Sequence, residues 1–411
     1  MGALFTTPAG AAPQERSPYA MVGQMGRVLA LIENEYVDPV DRSRLVEGAI
    51  KGMVSELDPH SAYMPPQDFS IFQSDTEGQF GGIGVEVDMR GETVTVLAPI
   101  EGSPAEKAGI KSGDKIVGVD KMIRKMRGAA GTHVKLSIHR EGQKELITFD
   151  LVREIIKVAS VNWKMLDGNI AYVRIKQFQE RTHDELLRAV AKLRQSGVIK
   201  GVILDLRSNP GGLVDEASEV ADELLTDGTI YTARHRGIIT DEVKARGGGA
   251  LADIPVVVLV NEWSASASEL VAGALQDHKK ATIVGTNTFG KGSVQTILEL
   301  PNNAGIRITT ARYYTPSGHA IQADGVHPDV QIDNSKITKS NLPQLREKDL
   351  ENALPAEGAP GGDAGVVRHV APATDGGTTD ESTAVRNMPS DPTKGTDFVL
   401  KVGYEVLRRI R

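Results

Sequence analysis

Residues 255–295, PVVVLVNEWSASASELVAGALQDHKKATIVGTNTFGKGSVQ, decide the fold. After Pro255 comes the unbroken apolar run Val256–Val260, the mark of a strand buried on both faces of a parallel sheet. The polar knot NEWSAS then gives way to a helical pattern with Leu270, Val271, Ala274 and Leu275 on one side. Ser266 therefore stands where a buried strand hands over to a helix N-terminus. Free N–H groups and the positive end of the helix dipole favour developing negative charge there. A second strand, ATIVG, follows, and then a Gly-rich turn carrying Lys291 and, further on, Gln295.

These are parts for nucleophilic catalysis, and the question is the base. His278 is twelve residues along the helix from Ser266, about 18 Å at helical rise, out of reach of the hydroxyl. No G-x-S-x-G elbow occurs. A lysine base is the alternative, provided burial lowers the Lys291 amine towards working pH. Gln295 would share a face with Lys291, and its amide oxygen could orient the amine without adding charge. A nucleotide loop competes, since Gly285–Lys291 reads G-x-x-x-x-G-K. Gly292 stands where Ser or Thr should hold Mg²⁺, and the following residues alternate like a strand, which disfavours that reading.

SASASE (264–269) and GTNTFGKGSVQ (285–295) resemble the C-terminal processing, or tail-specific, peptidases, as do LDPHSAYM, GGIGVEV, LDLRSNPGGL and TTARYYTPSGHAIQ. The resemblance runs from about residue 19 to 333. It implies that Ser266 is the nucleophile, Lys291 the general base and Gln295 the residue that orients the lysine. It also implies an α/β fold: a crotonase/ClpP-like βαβ protease core, an inserted β-rich PDZ domain, and helical N- and C-terminal elements.

Composition narrows the partners. Lys and Arg number 47 against 54 Asp and Glu, so the net charge of −7 argues against nucleic acid. No apolar run approaches the ~20 residues of a membrane span. The absence of cysteine removes disulfides, thiol catalysis and cysteine metal sites. The first residues, MGALFTTPAGAAPQER, lack a basic n-region and a long apolar h-region, so the chain reads as trimmed or mature. Relatives are usually exported, which points to the periplasm or outer cell face. Histidines are scattered, His60 is expected to cap a turn, and neither a metal nor a cofactor is expected.

Along the chain, Ser17-Pro18 opens a helix with the stripe Val22, Met25, Leu29, Ile32 and Tyr36; a second carries Val46, Ile50, Met53 and Leu57. This helical region, taken as 17–75, packs on its own protein or, as the resemblance implies, forms a contact in a homodimer or higher homo-oligomer. Short alternating runs then mark a β-rich module over 76–157. GGIGVEV followed by SPAEKAGIKSGDKIVGVD resembles a PDZ domain, which takes a chain terminus by strand addition. Gly82, Ile83, Gly84 and Val85 would form its loop and first strand. Asp120 runs straight into Lys121 where relatives carry a longer segment, so either a segment is missing or the groove is truncated. Arg127 is a candidate regulatory contact, or a solvated surface arginine.

Strand and helix patterns alternate over 158–334, implying a mostly parallel sheet. NPGG brings Gly211 and Gly212 to a turn without a Cβ, and with the Ala267 N–H they could form an oxyanion hole. Asp205 and Arg207 read as structural. Trp263 either shapes the cleft or fills the core. Residues 335–397 lack aromatics and are expected to be a mostly disordered linker with one short helix near KDLENAL. FVLKVGYEVLRRIR (398–411) regains helical period through Val399, Val402, Val406 and Ile410 and should dock on its own core or on a neighbour.

The expected protein is a serine endopeptidase that takes the C-terminal tails of protein substrates through its PDZ module, with an adaptor or activator protein as a further candidate partner. The competing classes are a catalytically silent PDZ scaffold and a crotonase-like acyl-thioester enzyme.

Overall fold

The structure, a computed structural model, describes residues 18–90, 93–100, 102–117, 126–143, 145–332, 345–357, 385 and 387–410. It divides into two units, 1–57 and 58–411. In the first, α1 (Pro18–Glu35) and α2 (Arg42–Ser55) form an αα pair, α2 capped by the Asp41 carboxylate on the N–H groups of Ser43 and Arg44. Met21, Val22, Met25, Val28 and Leu31 of α1 are exposed. The helical region expected over 17–75 therefore breaks at Leu57, and Asp58–Thr76 belongs to the larger unit.

That unit begins with β1 (Ala62–Met64), α3 (Pro66–Thr76) and β2 (Gln79–Gly82). The PDZ module follows: β3 (Val85–Arg90), β4 (Thr93–Pro99), α4 (Pro104–Lys107), β5 (Lys115–Ile116), β6 (His133–His139) and β7 (Ile147–Val152). Its sheet runs β3-β4-β5-β6-β7, all antiparallel, so β3 is an edge strand. Ile83, Val94, Val96, Ile110, Ile116 and Leu136 are among the residues of its small core. β8 (Glu154–Lys157) returns to pair with β2. The segment around Asp120, and with it the missing-or-truncated groove, lies outside the described residues.

The remaining elements form the βαβ core. They are β9 (Val161–Leu166), β10 (Ile170–Ile175), α5 (Thr182–Ser196), β11 (Gly201–Asp205), α6 (Val214–Asp222), β12 (Thr229–His235) and β13 (Ile238–Lys244). After these come β14 (Val256–Val260), α7 (Ala267–Asp277), β15 (Ala281–Gly285), β16 (Ser293–Glu299), β17 (Gly305–Tyr314), β18 (Val330–Gln331) and α8 (Phe398–Ile410). The main sheet has the order β18-β15-β14-β11-β10-β9 and is parallel except for β9. All five residues of β11 and of β14 are buried, as the apolar runs require of strands covered on both faces. α5, α6 and α7 pack on one face. A second sheet, β1-β17-β12-β13 with β16 on β17, completes the core.

α8 packs on the other face of the main sheet, so the C-terminal helix docks on its own core. Its buried stripe is Val399, Leu400, Gly403, Tyr404 and Leu407 rather than the valines alone; Ile410 is exposed. Gly403 allows the approach, for a Cβ there would lie 2.6 Å from Leu259 Cδ2. Asp397 ties the helix start to the sheet through Arg207, which also grips the fully buried Asp205. Tyr172 donates to the same Asp205 carboxylate at 2.7 Å, and Arg174 lies 3.5 Å from it, which bears out a structural part for Asp205 and Arg207.

Part of the stretch expected to be a linker is ordered. Residues 345–357 carry a 3-10 turn, Glu347–Asp349, in place of the helix expected near KDLENAL, and Glu347 is fully buried. Composition predicts poor burial because it averages over residues. It cannot see a polar side chain that finds buried partners far away in sequence.

Candidate active site

Ser266 is the residue at which β14's connection becomes α7. Its φ of 57° and ψ of −117° lie in a region that residues with a Cβ rarely adopt, at a cost of about 1–3 kcal/mol. A strained strand-to-helix turn thus exists without the elbow motif that usually announces one. Ser266 is 8% exposed and lines a cavity of about 570 Å³ together with Lys291, Gly211, Gly212 and Gln295. His278 is engaged elsewhere, on Thr229 O at 2.7 Å. Trp263 neither lines the cavity nor fills the core, being half-exposed.

The NPGG turn sits directly against Ser266. A Cβ on Gly211 would come within 2.8 Å of Ser266 Cβ and 3.0 Å of Ala267 N. One on Gly212 would strike Phe178 O at 2.0 Å, and φ values of 102° and 135° independently favour glycine at both places. The expected three-donor oxyanion set needs correction, because the Gly211 N–H already donates to Asn209 Oδ1 at 2.9 Å. The N–H groups of Gly212 and Ala267 have no acceptor among the described residues. Asn209, fully buried, was not singled out in the sequence. Its side chain also donates to Ile175 O, and its carbonyl accepts from Ala265 N–H and Ser268 Oγ, locking the two turns together.

Lys291 lies on the loop between β15 and β16. Burial lowers its amine to about 8, aided by Arg307 and opposed by Glu347, Glu269 and Asp58. Among the described residues its Nζ makes no hydrogen bond, to Ser266 Oγ or to any other group. Gln295 does not orient it. The Gln295 amide donates to Ser293 Oγ at 2.9 Å, and more weakly to Ser293 O and Thr309 Oγ1. The same-face argument assumed regular geometry from 291 to 295. Lys291 instead precedes β16, and a register shift between Val294 and Gln295 breaks the alternation.

Glu269, on the first turn of α7, is the second residue missed. Its buried carboxyl accepts from Ser266 N–H (2.8 Å), Gly290 N–H (2.7 Å), Lys291 N–H (2.9 Å) and Thr288 Oγ1 (2.5 Å). Burial pushes it up to about 7 against those hydrogen bonds. One side chain thus fastens the serine turn to the lysine loop. The spacing S-x-x-E, a capping-box signature, was the available signal.

In the PDZ module Gly82 pairs with Glu154, Ile83 is buried, and Gly84 has φ of 74°. Its Ile83 and Gly84 carbonyls accept from Ala105 N–H and Ile100 N–H, while Val85 opens the edge strand β3. Arg127 is no free surface arginine: Nη1 pairs with Asp75 of α3 at 2.6 Å, and the guanidinium lies 4.5 Å over the Phe80 ring. α3 in turn lends Phe72 and Thr76 to the cavity. The turn expected to be capped by His60 is capped by Asp58, whose carboxylate accepts from the N–H groups of His60 and Ser61, while the His60 ring meets Glu347 at 2.7 Å.

The strained serine, the enclosed amine, the βαβ core and the edge-open β module define a serine-type peptidase of the C-terminal processing kind, and the chain belongs to peptidase family S41, whose description matches residues 169–332. A PDZ domain matches 81–151, and the N-terminal domain of the activating protease CtpB matches 8–67. The chain is similar to the carboxy-terminal-processing protease of Bartonella bacilliformis, 42% identical over 334 residues that cover 78% of this chain and 76% of that one. A CtpA-like serine protease of Staphylococcus epidermidis is 38% identical over 77% of this chain and 66% of its own length. Among solved structures, a photosystem II D1 C-terminal processing protease is 32% identical with a TM-score of 0.48, covering 77% of this chain and 89% of that one.

Proposed function

We propose that the protein is an endopeptidase that binds the C-terminal tails of protein substrates along the β3 edge and cleaves them with a Ser266–Lys291 pair. The observation that carries this reading is the amine lowered to about 8 in the same cavity as a strained serine at a helix N-terminus. Neutral Lys291 Nζ accepts the hydroxyl proton as Ser266 Oγ attacks the peptide carbonyl carbon. The N–H groups of Gly212 and Ala267 stabilise the oxyanion, one such donor being worth roughly 3–4 kcal/mol of barrier. The lysine then protonates the leaving amine, and the acyl-enzyme forms. Water, losing its proton to Lys291, attacks the ester, and the proton returns to Ser266 as the acid product leaves.

At rest the pair is not hydrogen-bonded, which supports a site that closes when substrate arrives. The exposed apolar face of α1 supports a homo-oligomer; the extracytoplasmic location that the sequence resemblance implies is part of the same proposal. Incubation of an unfolded protein with wild type, Ser266→Ala and Lys291→Ala, read on a gel, tests the chemistry. Cleavage should fall about 10⁴-fold or more in both variants. Ordinary turnover by Lys291→Ala would retire the lysine base, and turnover by neither variant nor wild type would favour a scaffold. A Met25→Asp, Leu31→Asp variant that keeps the wild-type particle size would remove α1 from any subunit contact.

A further inference from the structure

Glu347 is a fully buried carboxylate that the proposed reaction does not use, and several polar links around it lead to the lysine loop. Its neighbour Arg346 donates from Nη2 to Thr288 O at 2.6 Å, and its own N–H donates to Phe289 O at 3.2 Å. Its Oε1 accepts from Gln322 Nε2 at 3.0 Å, and Gln322 Oε1 accepts the Gly292 N–H at 3.0 Å. Gln322 Nε2 also donates to Leu354 O at 3.1 Å. Its Oε2 meets His60 Nε2 at 2.7 Å. The loop is therefore held at 288 and 289 on one side of Lys291 and at 292 on the other.

We propose that residues 346–354 form a strap that sets the placement of Lys291, with Glu347 as a positioning residue acting through Gln322 and the 288–292 loop. An inert plug for this space would be apolar, since taking a carboxylate from water costs several kcal/mol unless partners compensate. Here the carboxylate's partners are the His60 ring and the Gln322 amide, which in turn takes the Gly292 N–H of the loop, while the Glu347 backbone N–H bonds Phe289 O. The charge has a second effect. Lys291 is surrounded by Arg307, which disfavours its ammonium, and by Glu269, Asp58 and Glu347, which favour it. Removing the Glu347 charge should make the neutral amine available at lower pH.

The inference rests on Lys291 being the base, and the test separates the two. Hydrolysis of an unstructured peptide is followed from pH 6 to 10 for wild type, Glu347→Ala, Glu347→Gln and Lys291→Ala. Glu347→Ala should lose about tenfold or more in kcat with KM within about twofold, as a misplaced catalytic group does. Glu347→Gln, which keeps an acceptor for Gln322, should recover most of that rate. Its acid limb should nonetheless move to lower pH by roughly half a unit or more. A structural role alone would lower stability and rate and leave the limb in place. Wild-type rates and limbs in both Glu347 variants, or a Glu347→Gln limb that does not move, would overturn the strap. An active Lys291→Ala would overturn the base assignment instead.

Discussion

Along β11 and β14 of the peptidase core every residue is buried, whereas β6 of the PDZ module buries Leu136 and Ile138 and leaves His133, Lys135 and His139 exposed. The core sheet is covered by helices on both faces, and the Ser266 and NPGG turns spring from its strand ends. The PDZ sheet ends in β3, whose outer edge has no partner strand among the described residues. Backbone sealed on all sides can hold two reacting groups in fixed register. Backbone with an open edge can take in a strand from outside. Damage to the first should therefore abolish cleavage of every substrate, and damage to the second should affect only substrates that bring a tail.

The largest effect expected from this contrast is at Gly212. Gly212→Ala puts a Cβ against Phe178 O and strains φ, so hydrolysis of tailed proteins and of short peptides should fall together by about 10²–10³-fold. Selective loss on tailed proteins would break the comparison. Glu269→Gln comes next. It turns an NH₂ towards backbone N–H donors, and steady-state assays should show a loss of about 10²-fold on both substrate classes. The pH profile follows. In the proposed reaction the neutral lysine is the base, and with its amine at about 8 kcat/KM should climb as pH rises towards 8 and level off above it. A flat profile from 6 to 9 would remove the buried-amine argument. In the PDZ module, Leu136→Ala should cost about 2–5 kcal/mol of that module's stability in chemical denaturation. KM for tailed proteins should rise while short peptides are cut at the wild-type rate. The smallest effect is at Arg127, whose half-exposed ion pair is worth under about 1 kcal/mol; Arg127→Ala should leave short-peptide turnover within about twofold.

Periodicity made much of this molecule legible. The apolar run at 256–260 announced a doubly covered strand, the polar knot after it placed Ser266 at a helix start, and alternation over 83–138 outlined the PDZ sheet. What escaped depends on single polar contacts between distant segments. Asn209 takes the Gly211 N–H that a turn reading leaves free. A bulge at Val294 and Gln295 undoes an inference that needed an ideal strand. Glu347 is buried because His60 and Gln322 meet it, far away in sequence, and no composition average registers such a meeting. Hydrophobic pattern sets where backbone goes; the partner of one buried amide or carboxylate has no period to detect.

The carboxylate of Glu269 has a mechanical corollary. By gripping the amides of Ser266, Gly290 and Lys291 at once, it prevents the Ser266 turn and the Lys291 loop from drifting apart. In the proposed reaction, bringing the Lys291 amine to the Ser266 hydroxyl is then left to rotation about side-chain bonds, chiefly those of the long lysine arm. An enzyme built this way could be woken by a nudge at the cavity wall, with no hinge swinging and no layer sliding.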